Sequence, residues 1–260
     1  MASKPKIGLV LGAGSARGFA HIGVLQVLKE NNIDFDFMVG SSMGALIGAV
    51  AGTGSDLYMM GKLASNFNFN NIIDVSLPRL GFVAGRKAEQ FIKLVTKNKT
   101  FADLNYPLYV VATDLLKGQP VIIEEGPLWE AIRASTSIPG VFRPWRQGET
   151  YLVDGAVTSR LPVEIAREKG ADIIIAVDVI FAEGKEVKIR NTLDVIMHSI
   201  EIMERRIFEN LVRDQADILI QPPLGDIFSS EFDKAEICIA RGREAAVSML
   251  PNIYEKLELN

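Results

Sequence analysis

Gly40-Ser41-Ser42-Met43-Gly44 centres a serine in a G-x-S-x-G pentad, between an apolar run at residues 35–39 and a small-residue helix predicted over 45–51. That spacing is what a nucleophile elbow requires. The serine sits on a strained turn that lifts its hydroxyl out of the sheet. Strand and helix approach so closely that glycine alone fits two residues to either side, here Gly40 and Gly44. Ser42 is therefore the candidate nucleophile and Ser41 fills the variable slot. The amide of Met43 would face the oxyanion formed on attack. A plain Gly-Ser turn is the competing interpretation, and the strand–helix context favours the elbow.

The loop Gly12-Ala13-Gly14-Ser15-Ala16-Arg17-Gly18 follows an apolar run at 6–11 and precedes a helical face predicted over 16–29. Exposed amides at such a junction suit an anion, either a dinucleotide pyrophosphate or a reaction oxyanion. Gly12, Gly14 and Gly18 give only G-x-G-x-x-x-G, and the acidic residues Asp34 and Asp36 precede the second strand instead of ending it. The dinucleotide fingerprint is thus loose. Arg17 stands at a helix start, where the dipole disfavours a cation, so a carboxylate or backbone carbonyls are expected to brace it.

A serine hydrolase ordinarily takes a histidine as base. The chain has 2 histidines. His21 falls inside the first helix and His198 in a C-terminal helical region near Asp194 and Glu201, on a face read as solvated; both are read as structural. Asp154, in Tyr151-Leu152-Val153-Asp154-Gly155-Ala156, ends an apolar strand before a turn. Asp-Gly is a common turn pair, yet strand ends are where α/β proteins gather their sites. It is the candidate direct base.

The elements that must position these groups alternate. Strands are predicted at 6–11, 35–39, 108–113, 121–123, 151–153 and 173–179, and helices at 88–97 and 162–169. Pro162 suits a first helical turn, and Gly170 the stop. This is an α/β pattern with a mostly parallel central sheet flanked by helices, read as one domain over 1–260. Residues 182–190 read as a charged surface loop. The chain beyond 191 reads as mostly helical, interrupted at Pro222-Pro223. Apolar stretches at 72–77 and 80–83 read as core, or as a rim near lipid. The 260 residues carry a net charge of −4, with 48% hydrophobic and 23% charged residues. No basic run or zinc spacing accompanies that balance, so neither nucleic acid nor a metal is expected. The single cysteine, Cys238, fits the core of a protein in a reducing, cytoplasmic setting. No segment approaches the roughly 20 apolar residues of a membrane span. Contact with lipid would be peripheral, and oligomerisation is left open.

Five segments, in this order, resemble the patatin-like phospholipases: GLVLGAGSARGFAHIGVL, VGSSMGALIGA, VATDL, GPLWEAIRASTSIPGVFRP and VDGAVTSRLPVEIAREKGADIIIAVDV. The resemblance runs from about residue 7 to 179. It implies a patatin-like α/β fold and acyl-ester hydrolysis of lipids without a cofactor. It implies a Ser–Asp dyad lacking a catalytic histidine, with Ser42 as nucleophile and Asp154 as base. The Gly12–Gly18 loop would be the oxyanion motif, with Gly12, Gly14, Ser15, Ala16 and Arg17 as its candidate residues beside Met43. The chain departs from the family pattern at Ala13 and Ser15, where glycines are common, and at Ser159-Arg160, where paired asparagines are common. The second departure alters the polar wall of the pocket. A nucleotide-binding oxidoreductase and a non-catalytic lipid-binding relative are the rival classes.

Overall fold

Strands β1 (Ile7–Leu11) and β7 (Ile173–Val177) are unbroken apolar runs because both of their faces are covered. Ile7, Leu9 and Leu11, with Ile173, Ile175 and Val177, enter one core cluster. Val10, Ile174 and Ala176, which point the other way, enter a second. The computed structural model describes residues 4–72, 74, 85–180, 189, 192–208 and 215–258.

The first face is covered by α1 (Ala20–Glu30), α2 (Met43–Gly52), α3 (Leu57–Ser65), α4 (Arg86–Val95), α5 (Leu128–Ser135) and α8 (Ala235–Leu257). Helix α6 (Val163–Glu168) supplies Val163, Ile165 and Ala166 to the other face. Helix α7 is Thr192–Ile207. Helices α1 and α8 nearly touch: a Cβ on Gly23 would lie 2.1 Å from the Ile239 carbonyl oxygen, and one on Gly242 2.1 Å from that of Ala20. Only glycine permits this backbone contact.

β2 (Phe37–Ser41), β1, β7 and β8 (Ile218–Ile220) are consecutive parallel neighbours, and β2 also pairs in parallel with β3 (Leu108–Asp114). β4 (Gln119–Ile123), β5 (Trp145–Gln147) and β6 (Thr150–Asp154) join antiparallel to complete an 8-stranded sheet. The registers on β3 decide the site. β4 pairs with residues 110–114 of β3, overlapping both other partners, so it holds one edge alone. β2 and β6 must then share the opposite edge end to end. β2 runs parallel and stops with Ser41 opposite Val111; β6 runs antiparallel and stops with Asp154 opposite Ala112. The two strand ends therefore meet head on, at adjacent residues of β3.

The α/β architecture expected from the sequence is present, with differences. The predicted helix over 16–29 begins as a 3-10 turn, Ser15–Phe19, before α1. The region beyond 191 also contributes the sheet strand β8, a short run that helical periodicity concealed. Pro222-Pro223 falls between β8 and α8. Cys238 is fully buried. Of the stretches 72–77 and 80–83 only Ile72 and Asp74 are described. Of 182–190 only Ile189 is, and the rest lies outside the described residues. Among the described residues no helix is long and apolar enough to cross a membrane.

Candidate active site

Ser42 occupies the turn between β2 and α2 with φ 54° and ψ −119°, a backbone that L-residues rarely adopt. The flanking glycines permit it. A Cβ on Gly40 would lie 2.6 Å from Ala45 Cα, and one on Gly44 2.2 Å from the Leu11 carbonyl oxygen. The turn aims the serine across the β2–β6 junction, where Ser42 Oγ donates to Asp154 Oδ2 at 2.6 Å. Asp154 Oδ1 accepts from the Ala156 amide at 2.9 Å. Burial pushes this carboxyl up to about 6, against those two hydrogen bonds, which favour its charged form. A carboxylate near that value is matched to proton transfer at neutral pH.

Helix α5, absent from the sequence-derived elements, braces Ser42, and the turn just after it braces Asp154. The Ser42 amide donates to Ser135 Oγ at 2.9 Å, and that hydroxyl donates to the Val111 carbonyl at 2.6 Å. The Asp154 amide donates to the Ser137 carbonyl at 3.0 Å. Ser135 lies in the RASTS stretch of the fourth family-like segment; a small buried polar residue at a helix end was the only signal there.

The Gly-rich loop is narrower in function than its composition suggests. The amides of Gly12, Ala16 and Arg17 donate to the carbonyls of Val177, Ser229 and Gly14 at 3.1, 3.2 and 3.1 Å. These three candidates are therefore corrected to supports, since an engaged amide has no hydrogen left for an oxyanion. Among the described residues the amides of Gly14, Ser15 and Met43 have no such partner. Met43 opens α2, whose N-terminal dipole favours negative charge.

Arg17 reaches both kinds of expected partner. Its Nε donates to the Ile227 carbonyl at 2.7 Å, and Nη1 stands 3.5 Å from Glu201 Oε1. His21 is fully buried, and its Nε2 donates to the Gly12 carbonyl at 2.8 Å. Burial holds this imidazole down to about 4, so it is neutral and ties the loop to α1. His198 is half-buried beside Glu201, 3.3 Å away, so its face is less solvated than predicted. Neither histidine is among the residues lining the Ser42 pockets.

Two clefts meet at Ser42. One, of about 990 Å³ including its open mouth, is almost entirely apolar, with Phe19, Leu46, Met60, Phe91 and Phe142 among its walls. The other holds the polar groups, Arg17, Asp154, Glu201 and Glu204. Sequence reasoning missed Glu201 and Glu204 as site residues. They lie on α7, with an apolar outward side that includes Ile202 and Met203. No group of histidine, cysteine or carboxylate side chains suited to a metal occurs among the described residues.

Comparison with known proteins shows the family and the fold. An uncharacterized NTE family protein of Mycobacterium tuberculosis is 37% identical over 179 residues, covering 68% of this chain and 50% of its own length. Lysophospholipase nte1 of Aspergillus fumigatus is 32% identical over 181 residues, covering 66% of this chain but 12% of its own length. The chain thus spans about half the length of the mycobacterial relative and far less of the fungal one. In fold, VipD of Legionella pneumophila superposes with a TM-score of 0.69 at 14% identity, over 96% of this chain and 67% of that one. The type III effector ExoU, known from Pseudomonas aeruginosa, gives 0.54 at 15% identity, over 99% and 54%. The patatin-like phospholipase family model matches residues 9–167, a span that contains the elbow, the Gly-rich loop and Asp154, and the chain belongs to that family.

Proposed function

We propose that this protein is a serine acyl hydrolase that cleaves carboxylic ester bonds of lipids, of the phospholipase A or lysophospholipase type. The observation that carries the reading is the 2.6 Å hydrogen bond from Ser42 Oγ to a buried carboxylate at the head of an apolar cleft. In the cycle, Ser42 Oγ attacks the ester carbonyl while Asp154 takes its proton. Negative charge gathers on the carbonyl oxygen, beside the amides of Met43, Gly14 and Ser15. Collapse of the tetrahedral intermediate breaks the ester C–O bond, and Asp154 returns the proton to the leaving alcohol. Water, deprotonated by Asp154, then attacks the acyl-serine, releasing fatty acid and restoring Ser42. The apolar cleft accommodates the acyl chain and polar groups leave on the opposite side.

The fungal relative named a lysophospholipase supports the lipid-ester class. Peripheral contact with a lipid surface is supported by Tyr58, Met59 and Leu63, all more than half exposed on α3, whose Met60 and Leu63 also line the acyl cleft. The buried single cysteine fits a reducing compartment. A dinucleotide function has little support, because the loop amides of Gly12, Ala13, Ala16 and Arg17 are engaged by carbonyls.

Labelling with a fluorophosphonate, together with hydrolysis of a long-chain lysophospholipid, tests the assignment. Wild type is expected to label and turn over, and folded Ser42→Ala to do neither. Turnover retained in folded, contaminant-free Ser42→Ala would remove Ser42 from the mechanism.

A further inference from the structure

The polar cleft at Ser42 meets a third cleft, of about 810 Å³ including its mouth, along Ala156 and Glu204, which line both. Thr158, Ser159 and Glu164 are among the walls of this third cleft, and it shares no residue with the apolar one. It therefore adjoins the reacting centre on the side away from the proposed acyl chain. Glu204 stands at the junction, on α7, and is only 9% exposed. It lies outside residues 9–167, the span that the family model matches.

The carboxyls among the described walls of the polar cleft are Asp154, Glu201 and Glu204. Asp154 accepts from the Ser42 hydroxyl and the Ala156 amide. Glu201 stands 3.5 Å from Arg17 and 3.3 Å from His198. Glu204 makes no hydrogen bond or ion pair among the described residues. Its oxygens are also not among the enclosed polar atoms that lack a partner, so they open onto the clefts that the residue lines. A largely buried acceptor left unused is costly, and water or a reactant in the clefts would satisfy it. Burial pushes this carboxyl up to about 8, with Arg160 opposing the rise and Asp154, Glu201 and Asp178 adding to it. Near pH 7 it keeps its proton, so it does not compete with Asp154 as base, and its carbonyl oxygen remains an acceptor.

Deacylation is the step that calls for such a group. An esterified Ser42 Oγ has no hydrogen to donate, so Asp154 Oδ2 is free to take one hydrogen of the attacking water. The second hydrogen needs an acceptor on the same side of the ester. We propose that Glu204 holds the hydrolytic water of the deacylation step, its carbonyl oxygen accepting the hydrogen that Asp154 does not take. The inference rests on the serine-hydrolase reading above. With the acyl chain in the apolar cleft, water reaches the ester through the clefts that Glu204 lines. Held by two carboxyls, its oxygen faces the acyl carbon in one orientation, which lowers the entropic part of the barrier. One proton passes from water to Asp154 as the oxygen attacks. It then passes from Asp154 to Ser42 Oγ as the acyl C–O bond breaks. Glu204 neither gains nor loses a proton in the cycle.

The test uses the full chain with p-nitrophenyl butyrate at pH 7 in buffer containing methanol, with product formed by Ser42→Ala subtracted as background. Butyric acid and methyl butyrate are measured together, and their ratio reports the fate of the acyl-enzyme whichever step limits turnover. Methanol has one hydroxyl hydrogen, which goes to Asp154, so it gains nothing from Glu204; water has two. Glu204→Met is expected to raise the ratio of methyl ester to acid by about tenfold, the size of one hydrogen bond to the attacking oxygen. Glu204→Gln keeps a carbonyl acceptor and is expected to stay within about threefold of wild type on the same scale. Glu204→Leu reads the same acceptor if Glu204→Met does not fold. A residue that only supports the fold would slow both products and leave their ratio unchanged. A wild-type ratio in folded Glu204→Met or Glu204→Leu, or an equal rise in Glu204→Gln, would overturn the assignment. Fluorophosphonate labelling separates the two failures. A wild type that labels and turns over, with a product ratio indifferent to residue 204, loses only this inference. One that neither labels nor forms either product loses the hydrolase reading and the water site with it.

Discussion

The Ser42 Oγ–Asp154 Oδ2 contact makes the pH dependence of the proposed reaction a property of one carboxyl. Asp154 works as base only when ionised, and burial holds it up to about 6. The expected kcat/KM therefore rises with pH through about 6 and levels above it. Asp154→Asn should lose that limb and at least ~10³ in rate, judging from deletions in comparable serine hydrolases. Rate profiles on a neutral short-chain ester check this; an unshifted limb near pH 4 would deny the buried carboxyl its role. Ser135 acts through Ser42, as a positioning residue. Ser135→Ala leaves the Ser42 amide without its acceptor, a loss worth roughly 1–3 kcal/mol. The expected result is a reduced kcat at nearly constant KM, with partial rescue in Ser135→Thr. A wild-type kcat in Ser135→Ala would show that the elbow holds its own geometry.

Two helix contacts carry the element scale, and in both the limiting distance is between backbones. At the start of α2, Gly44 lies against β1: an added Cβ would stand 2.2 Å from the Leu11 carbonyl oxygen. Between α1 and α8, Gly23 faces the Ile239 carbonyl at 2.1 Å on the same measure. A carbonyl cannot rotate away as a side-chain end can, so the helices must move. Overpacking of this kind costs about 1–3 kcal/mol. Gly23→Ala is expected to lower Tm while the folded fraction still labels with fluorophosphonate, because no residue of α8 lines either cleft at Ser42. Gly44→Ala is expected to lower Tm and abolish labelling together, because the displaced helix carries the Met43 amide. Thermal melts paired with labelling distinguish the two patterns. Labelling at the wild-type level in Gly44→Ala would mean the elbow tolerates a displaced helix.

Across the whole molecule, buried titrating groups oppose one another. His21 is held down to about 4 from 6.5, so the unfolded chain binds its proton first and stability is lost as pH falls from about 6.5 toward 4. Asp154 is raised from 3.8 to about 6, so the folded chain keeps its proton longer and stability is lost as pH rises through that window. Urea unfolding at pH 4 and pH 7 separates them. Relative to wild type, His21→Gln is expected to gain at pH 4 over pH 7, and Asp154→Asn at pH 7 over pH 4. Each difference should be on the order of 3 kcal/mol at most, since each tenfold change in proton affinity on folding is worth ~1.4 kcal/mol. A pH-independent difference for either variant would contradict its burial. What the sequence determined by itself was local: the G-x-S-x-G elbow, the Gly-rich βα loop, the alternation of elements and the buried runs of β1 and β7. Each is set by sterics or periodicity within a few residues of the chain. The tertiary structure alone decided the rest. It joined Ser42 to Asp154 across 112 residues, by ending β2 and β6 on one edge of β3. It withdrew Gly12, Ala16 and Arg17 as amide donors, two of them through the distant carbonyls of Val177 and Ser229. It also placed the carboxyls of α7 beside the polar clefts, which the sequence showed only as charges on a helix. Hydrogen-bond partners, desolvation and cleft walls come from segments far apart in the chain, and no local pattern encodes which of those segments meet.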